Sequence, residues 1–210
     1  MTVIPIMIEM KGKKVIVVGG GRIAKRKLSG LVDSGAELLV ISPVADPAII
    51  AWDDEGKILW KQKCFEPGDA EEAFMMIIAT DDPATNAESR KAAPSNCLVN
   101  ASDEAEAGNI HFPAHVKRGK LSIAVSTNGA SPMLAKKIKQ DLQSQFDESY
   151  EQYLDFLFEA RQLLKKTMIP QNAKEEYLRG FLDESFLQVA SQEASLRELR
   201  LLMNKKKDLE

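Results

Sequence analysis

The chain is 210 residues long, 44% hydrophobic and 28% charged, enough for one large domain or two unequal ones around a real hydrophobic core. A formal net charge of -3 argues against a nucleic-acid binder that works through overall positive charge. Cys64 and Cys97 stand alone, without a partner at metal-ligand spacing, and read as reduced thiols of a cytoplasmic protein. Residues 3–10 are apolar, but Pro5 and Glu9 interrupt them and no basic leader or cleavage site accompanies them, so no signal peptide is expected. No stretch approaches membrane-spanning length, and the charged tail at 205–210 is assigned no function.

The first half alternates strand and helix patterns. Residues 15–18 form a short apolar run ending in three glycines, the form of a buried parallel strand. Residues 23–34 read as a helix with Ile23, Leu28, Leu31 and Val32 near one face, stopped by Gly35, and residues 38–41 as the next strand. A short helix over 49–54 follows, then a third strand over 58–64 whose interleaved lysines suit a sheet edge. A short helix at 69–73, a strand at 75–79, a helix at 83–93 and a strand at 97–101 complete the alternation. Such an order predicts an α/β fold: a Rossmann-type parallel sheet with right-handed crossovers and helices on both faces. After Pro113 the pattern changes. Residues 121–126 read as a strand, 127–131 as a polar turn and 132–146 as a basic helix. From Glu148 onward the chain reads as helical, with one core stripe through Tyr150, Tyr153, Leu154, Leu157, Phe158 and Leu164. A second runs over 181–203 through Phe186, Leu187, Val189, Leu196 and Leu199, with Pro170 between the two.

Gly19-Gly20-Gly21-Arg22-Ile23-Ala24 fits the pattern G-x-G-x-x-(G/A), directly after a predicted strand and at a helix start. Gly19 permits the tight turn, Gly21 lets the backbone approach a pyrophosphate, and Ala24 keeps the helix close to the sheet. Backbone N–H groups of Arg22 and Ile23 would then face the phosphates. The second strand ends at Ser42-Pro43-Val44, where an NAD site usually carries an acid for the ribose 2′-hydroxyl. That acid is missing, Asp46 lies slightly too far on, and no arginine is present for a 2′-phosphate, so NAD is expected rather than NADP. Thr80-Asp81-Asp82 follows the fourth strand at the carboxyl edge of the sheet, with Asp82 a natural N-cap before Pro83 and Thr80 lining the cofactor cleft.

Asn100-Ala101-Ser102-Asp103 leaves the next strand at the same edge. By position alone Asp103 is either a base near a nicotinamide ring or a solvated aspartate in an acidic turn with Glu104 and Glu106. In the turn over 126–132, Ser131 is a natural N-cap and Pro132 a natural first helical residue, followed by Lys136, Lys137 and Lys139 and preceded by Lys117, Arg118 and Lys120. The hydroxyl-rich helix start suits a carboxylate, though composition alone favours a well-capped surface helix. His111 and His115 flank Pro113 with no third ligand in view, so no metal site is expected.

Together, the segments 19–27, 79–81, 100–103 and 118–132 resemble the sirohaem synthase N-terminal family, that of precorrin-2 dehydrogenases and, in some members, sirohydrochlorin ferrochelatases. The resemblance covers roughly residues 2–145, and the helical tail matches only in kind. It implies NAD-dependent oxidation of precorrin-2 to sirohydrochlorin on the route to sirohaem, with ferrous iron insertion as an alternative second activity. It implies an NAD-binding domain over 1–113, a small α+β dimerisation segment over 114–147 and a C-terminal helical module over 148–210, assembled as a homodimer. Asp103 falls on the family's essential aspartate, and Thr127 falls where other members carry a serine near the tetrapyrrole site. Gly19, Gly21, Arg22, Ile23, Ser42, Pro43, Val44, Thr80 and Asp81 are the expected cofactor residues. Asn100, Arg118, Thr127, Ser131 and Lys136 are expected to hold the substrate, with Lys117 and Lys137 as further cations for its eight carboxylates. The chain lacks a methyltransferase domain, so another protein is expected to supply precorrin-2. A reading of another class, an NAD-sensing Rossmann module without turnover, fits the Ala79-Thr80-Asp81-Asp82 turn but gives no reason for the segment over 121–132.

Overall fold

In the computed structural model, residues 3–102 and 107–204 are described. They belong to two compact units, Met1–Phe112 and Pro113–Glu210.

The N-terminal unit is built on strands that are buried on both sides. In β1 (Lys14–Val18) every residue after Lys14 is buried, and in β4 (Met75–Ile78) all four are. With β2 (Glu37–Ile41), β3 (Leu59–Lys61) and β5 (Leu98–Ala101) they form a parallel sheet in the order β3-β2-β1-β4-β5. Because side chains alternate along a strand, the core splits into two layers. Val15, Val17, Leu38, Val40, Met75 and Ile77 cluster with Ala24 and Leu28 of α1 (Arg22–Leu28) and Ile49 of α2 (Pro47–Asp54). Ile16, Val18, Ile41 and Met76 cluster instead with Cys97 and, at the end of α3 (Pro83–Ala92), with Ala92 and Ala93. Helices thus cover both faces, as alternation predicts, and the strand order reverses between β1 and β4.

Boundaries differ from the sequence expectation where side chains compete with the helix. Instead of running to Ser34, α1 ends at Leu28, where the Ser29 hydroxyl donates to Arg26 O at 2.9 Å and Gly30 N–H bonds three residues back to Lys27 O. Turns carry the chain on to Gly35. Helix α2 begins two residues earlier than the hydrophobic run, because Asp46 accepts from Ala48 N–H at 3.0 Å and Pro47 takes the first helical position. The segment expected as a helix at 69–73 is a 3-10 turn, Pro67–Ala70, held by a capping box between Glu66 and Asp69. The outer edge of β5 is blunted by Asn109, whose side chain accepts from Val99 N–H (2.7 Å) and donates to Cys97 O (2.9 Å).

Burial pushes the Cys97 thiol up to about 11, whereas Cys64 is exposed. A thiol-specific chromophoric reagent is therefore expected to titrate one cysteine in the native protein and two after denaturation, since only an accessible thiolate reacts. Two fast-reacting thiols in the native state would contradict this burial.

The C-terminal unit starts with a strand that the sequence reading did not predict. β6 (Ala114–Arg118) pairs antiparallel with β7 (Leu121–Val125) through a tight turn at Gly119, φ +52°. Helix α4 (Pro132–Gln145) follows, and none of its residues is buried: Met133 is 85% and Leu134 49% exposed. The remaining helices are α5 (Ser149–Lys166), α6 (Gln171–Gly180) and α7 (Val189–Asn204). Their common core contains Tyr153, Phe156, Ala160, Leu164, Phe181 and Leu199, and the buried Tyr153 hydroxyl donates to Phe181 O at 2.7 Å. The single helix expected over 181–203 is instead a 3-10 turn, Glu184–Leu187, followed by α7. Asp183 accepts from Ser185 N–H at 2.9 Å and starts that turn. Among the described residues no helix is long and apolar enough to cross a membrane.

Candidate active site

The glycine turn lies at the switch point, and its three glycines do different work. Gly19 has φ +110°, and a Cβ there would lie 2.4 Å from Ala79 O. A Cβ on Gly20 would lie 2.3 Å from Ser42 Oγ and 2.4 Å from Val44 O. These two residues therefore let the β1–α1 turn rest against the turns that follow β4 and β2. Gly21 is the extended N-cap of α1, receives no side-chain cap, and a Cβ on it would meet nothing within 4 Å. The space a dinucleotide phosphate needs is thus open on the Gly21 side, with Arg22 exposed and Ile23 half-buried next to it. The residues fit the expected cofactor. Gly20 was missed by the motif, which leaves that position free; its constraint comes from a loop more than twenty residues away.

At the end of β2, Ser42 is buried and its hydroxyl donates to Val44 O at 2.7 Å, while Ser42 O accepts from the Trp60 indole N–H at 3.0 Å. Ser42 is a brace of this loop. The faces it leaves open are those of Pro43 and of Val44, which is 77% exposed. Asp46 is engaged elsewhere: Lys25 pairs with it at 2.6 Å and, with Ala48 N–H, holds its carboxyl below the ordinary value. Among the described residues the loop supplies no free carboxylate for a ribose 2′-hydroxyl.

After β4 and β5 the sheet edge opens into a cavity of about 240 Å³, lined by Ile23, Ala79, Thr80, Asp81, Pro83, Asn86 and Ser102. Asn86, buried in α3, organises it: its Oδ1 accepts from the Thr80 hydroxyl at 2.6 Å and its Nδ2 donates to Thr80 O at 3.1 Å. Asp82 caps α3 through Ala84 N–H (3.2 Å) and Thr85 N–H (3.0 Å). The Thr85 hydroxyl first, then those N–H groups, hold the Asp82 carboxyl below its usual range. Thr80 thus lines the cleft with its hydroxyl proton already given away, and Asp81 is exposed beside it. An Asn86→Ala variant is expected to lose about 1–3 kcal/mol of stability, since the Thr80 hydroxyl and carbonyl would lose their buried partner. Chemical denaturation measures this, and an unchanged midpoint would show that the clamp carries no weight.

On β5, Asn100 is buried and donates its Nδ2 to Ile110 O at 3.0 Å, while its Oδ1 has no partner among the described residues. Ser102 follows, its N–H bonded to Ile78 O at 2.9 Å. Asp103 lies outside the described residues.

The remaining predicted residues belong to the C-terminal unit. Arg118, at the end of β6, donates from Nη1 to Lys117 O at 2.9 Å, and its buried Nε has no partner among the described residues. The Thr127 hydroxyl accepts from Ser131 N–H (3.2 Å) and donates to Ser131 O (3.1 Å), and Ser131 Oγ accepts from Leu134 N–H (3.2 Å), capping α4. The Thr127 hydroxyl is fully engaged in the turn and the Ser131 oxygen accepts the cap, so what this turn offers a ligand is its backbone, the Ser131 O–H and the exposed Lys136 and Lys137 of α4. Lys120 is paired with Asp155. His115 hydrogen-bonds Ser122 Oγ at 2.7 Å; burial first, then Lys117 and Lys139, lower its proton affinity. No cluster of three metal-ligating side chains occurs among the described residues.

The comparisons with known proteins match the chain in three segments. Residues 6–114 match an NAD(P)-binding family model, 118–145 that of the sirohaem biosynthesis protein central region, and 150–195 that of the SirC C-terminal domain. The precorrin-2 dehydrogenase of Priestia megaterium is 37% identical over 195 residues, covering 92% of this chain and 96% of the relative. That of Bacillus subtilis (strain 168) is 35% identical, covering 75% of this chain and 98% of the relative. A solved structure of SirC, a precorrin-2 dehydrogenase, superimposes with a TM-score of 0.83 at 36% identity, covering 94% of this chain and 99% of the other. With its NAD(P)-type sheet edge, its glycine turn and this similarity over nearly the whole of both chains, the protein belongs to the precorrin-2 dehydrogenase family of sirohaem biosynthesis.

Proposed function

We propose that this chain oxidises precorrin-2 to sirohydrochlorin with NAD, using Asp103 as the base. The observation that carries the reading is the open side of Gly21 beside the Ile23–Thr80–Ser102 cavity, in a chain 37% identical to a precorrin-2 dehydrogenase. Bound NAD supplies the hydride acceptor. The protein's part is to bind, orient and take a proton. Gly19 and Gly21 seat the dinucleotide with Arg22 and Ile23 at the start of α1. The ribose lies along Ser42, Pro43 and Val44, and Thr80 and Asp81 border the other half. Asp103 takes up the proton that leaves as the hydride is removed. Asn100, whose buried Oδ1 has no partner among the described residues, holds the end of β5 against the substrate. Arg118 and Lys136, with Lys117 and Lys137, bind the tetrapyrrole carboxylates, and the turn that Thr127 and Ser131 shape presents them.

Residues 1–113 serve as the NAD domain, 114–147 as a dimerisation segment and 148–210 as a helical module. What supports dimerisation is α4, whose exposed Met133 and Leu134 leave an apolar stretch without cover in a single chain. The enzyme works as a cytoplasmic homodimer, where its two free cysteines stay reduced. Anaerobic incubation with precorrin-2 and NAD should produce the sirohydrochlorin spectrum, and its absence would overturn the reading. Ferrous or cobaltous ion added afterwards tests metal insertion as a separate step.

A further inference from the structure

The polar groups around the cavity after β4 are unequally engaged. Thr80 and Asn86 hold each other, and the Thr80 hydroxyl also accepts from Asp82 N–H at 3.2 Å. Asp81 is solvated. Ser102 differs from all three. Its backbone is fixed to Ile78 O and it lines the cavity, yet its Oγ is buried without a hydrogen-bond partner among the described residues. A buried hydroxyl left without a partner works against the fold, so its presence here points to a bound state in which the hydroxyl is used. A serine Oγ moves between staggered positions by rotation about its Cα–Cβ bond, and Ser102 stands in the cavity wall.

The place of the cavity identifies what it would meet. A dinucleotide crosses the sheet edge where the strand order reverses, here between β1 and β4. The loop after β2 then takes the adenosine half. The cavity after β4 and β5 lies on the other side of β1 and takes the nicotinamide riboside half. We propose that Ser102 is a cofactor-binding residue whose hydroxyl donates a hydrogen bond to an oxygen of that half, in the ribose or the carboxamide. The assignment rests on the NAD reading above and adds to it a residue that the glycine motif does not include.

The test uses the full chain and a Ser102→Ala variant, with Kd measured for NAD, ADP-ribose and ADP and Tm measured without ligand. NAD is expected to bind the variant roughly 3- to 12-fold more weakly, the worth of one ordinary hydrogen bond, while ADP, which lacks the nicotinamide riboside, binds both proteins equally. The unliganded variant should melt at the same temperature or higher, because it has lost an unpartnered buried hydroxyl. Equal weakening for ADP-ribose places the bond on the ribose; unchanged ADP-ribose binding places it on the carboxamide. Unchanged NAD affinity, matching losses for ADP, or a lowered Tm would overturn the assignment. A wild-type chain that binds no NAD would remove the cofactor reading itself, and this inference with it.

Discussion

An Asp103→Asn variant is expected to oxidise precorrin-2 roughly 10²- to 10⁴-fold more slowly than the parent, the usual worth of a positioned base. Asparagine keeps the size and one accepting oxygen of the carboxylate but cannot take up a proton. The loss should fall on kcat, because the substitution removes the group that takes up the proton. The chain on either side of 103–106 is anchored: Ser102 N–H to Ile78 O at 2.9 Å, and the Asn109 side chain to Val99 N–H and Cys97 O. The substitution should therefore leave Tm near that of the parent. Single-turnover absorbance with saturating NAD reads the effect. A variant within a few-fold of the parent would remove Asp103 from the chemistry.

Substitutions of Gly19 and Gly21 should part company. Alanine at 19 must adopt φ +110° and place its Cβ 2.4 Å from Ala79 O, a backbone atom of the sheet edge that has nowhere to move. Strain and overpacking together are expected to cost about 3–5 kcal/mol and to displace the turn from the cofactor path. Alanine at 21 meets nothing within 4 Å and has an ordinary φ of -83°. It should fold like the parent and still bind NAD more weakly, because its methyl group fills the side on which the phosphates approach. Denaturation midpoints and NAD titrations on both variants separate the two effects. A Gly19→Ala protein as stable as the parent would mean that the turn does not rest on Ala79, and a Gly21→Ala protein with parental NAD affinity would place the phosphates elsewhere.

Features set by neighbours in sequence were legible. The run from Val15 to Val18 followed by glycines gave β1 and its turn, since a strand buried on both faces needs an unbroken apolar stretch. Asp82-Pro83 and Ser131-Pro132 marked the starts of α3 and α4, because a cap needs only the next three backbone N–H groups. Elsewhere local pattern failed. β6 carries His115, Lys117 and Arg118 beside two small or branched apolar residues, and only pairing with β7 makes it a strand. The chain after Glu148 was read as helical, as α6 is, but its sparse apolar pattern left unmarked the bounds of this helix, which delivers Tyr177 and Leu178 to the bundle core.

The site divides along the same line. Sequence by itself determined the cofactor turn, the parallel sheet edge that carries the ligand loops and, through the resemblance, the family and its substrate, because these depend on residue types at short fixed spacings. Only the tertiary structure decided that Gly20 is sterically required and that Ser42 braces its loop. It also decided that Asn86 clamps Thr80 while the Ser102 hydroxyl remains unpartnered among the described residues. Each of these depends on a contact between segments distant in the chain, or on the lack of one, and no local spacing specifies such contacts. The glycine motif names what approaches the sheet edge; the packing of three separate loops around it decides which side chains are left to receive it.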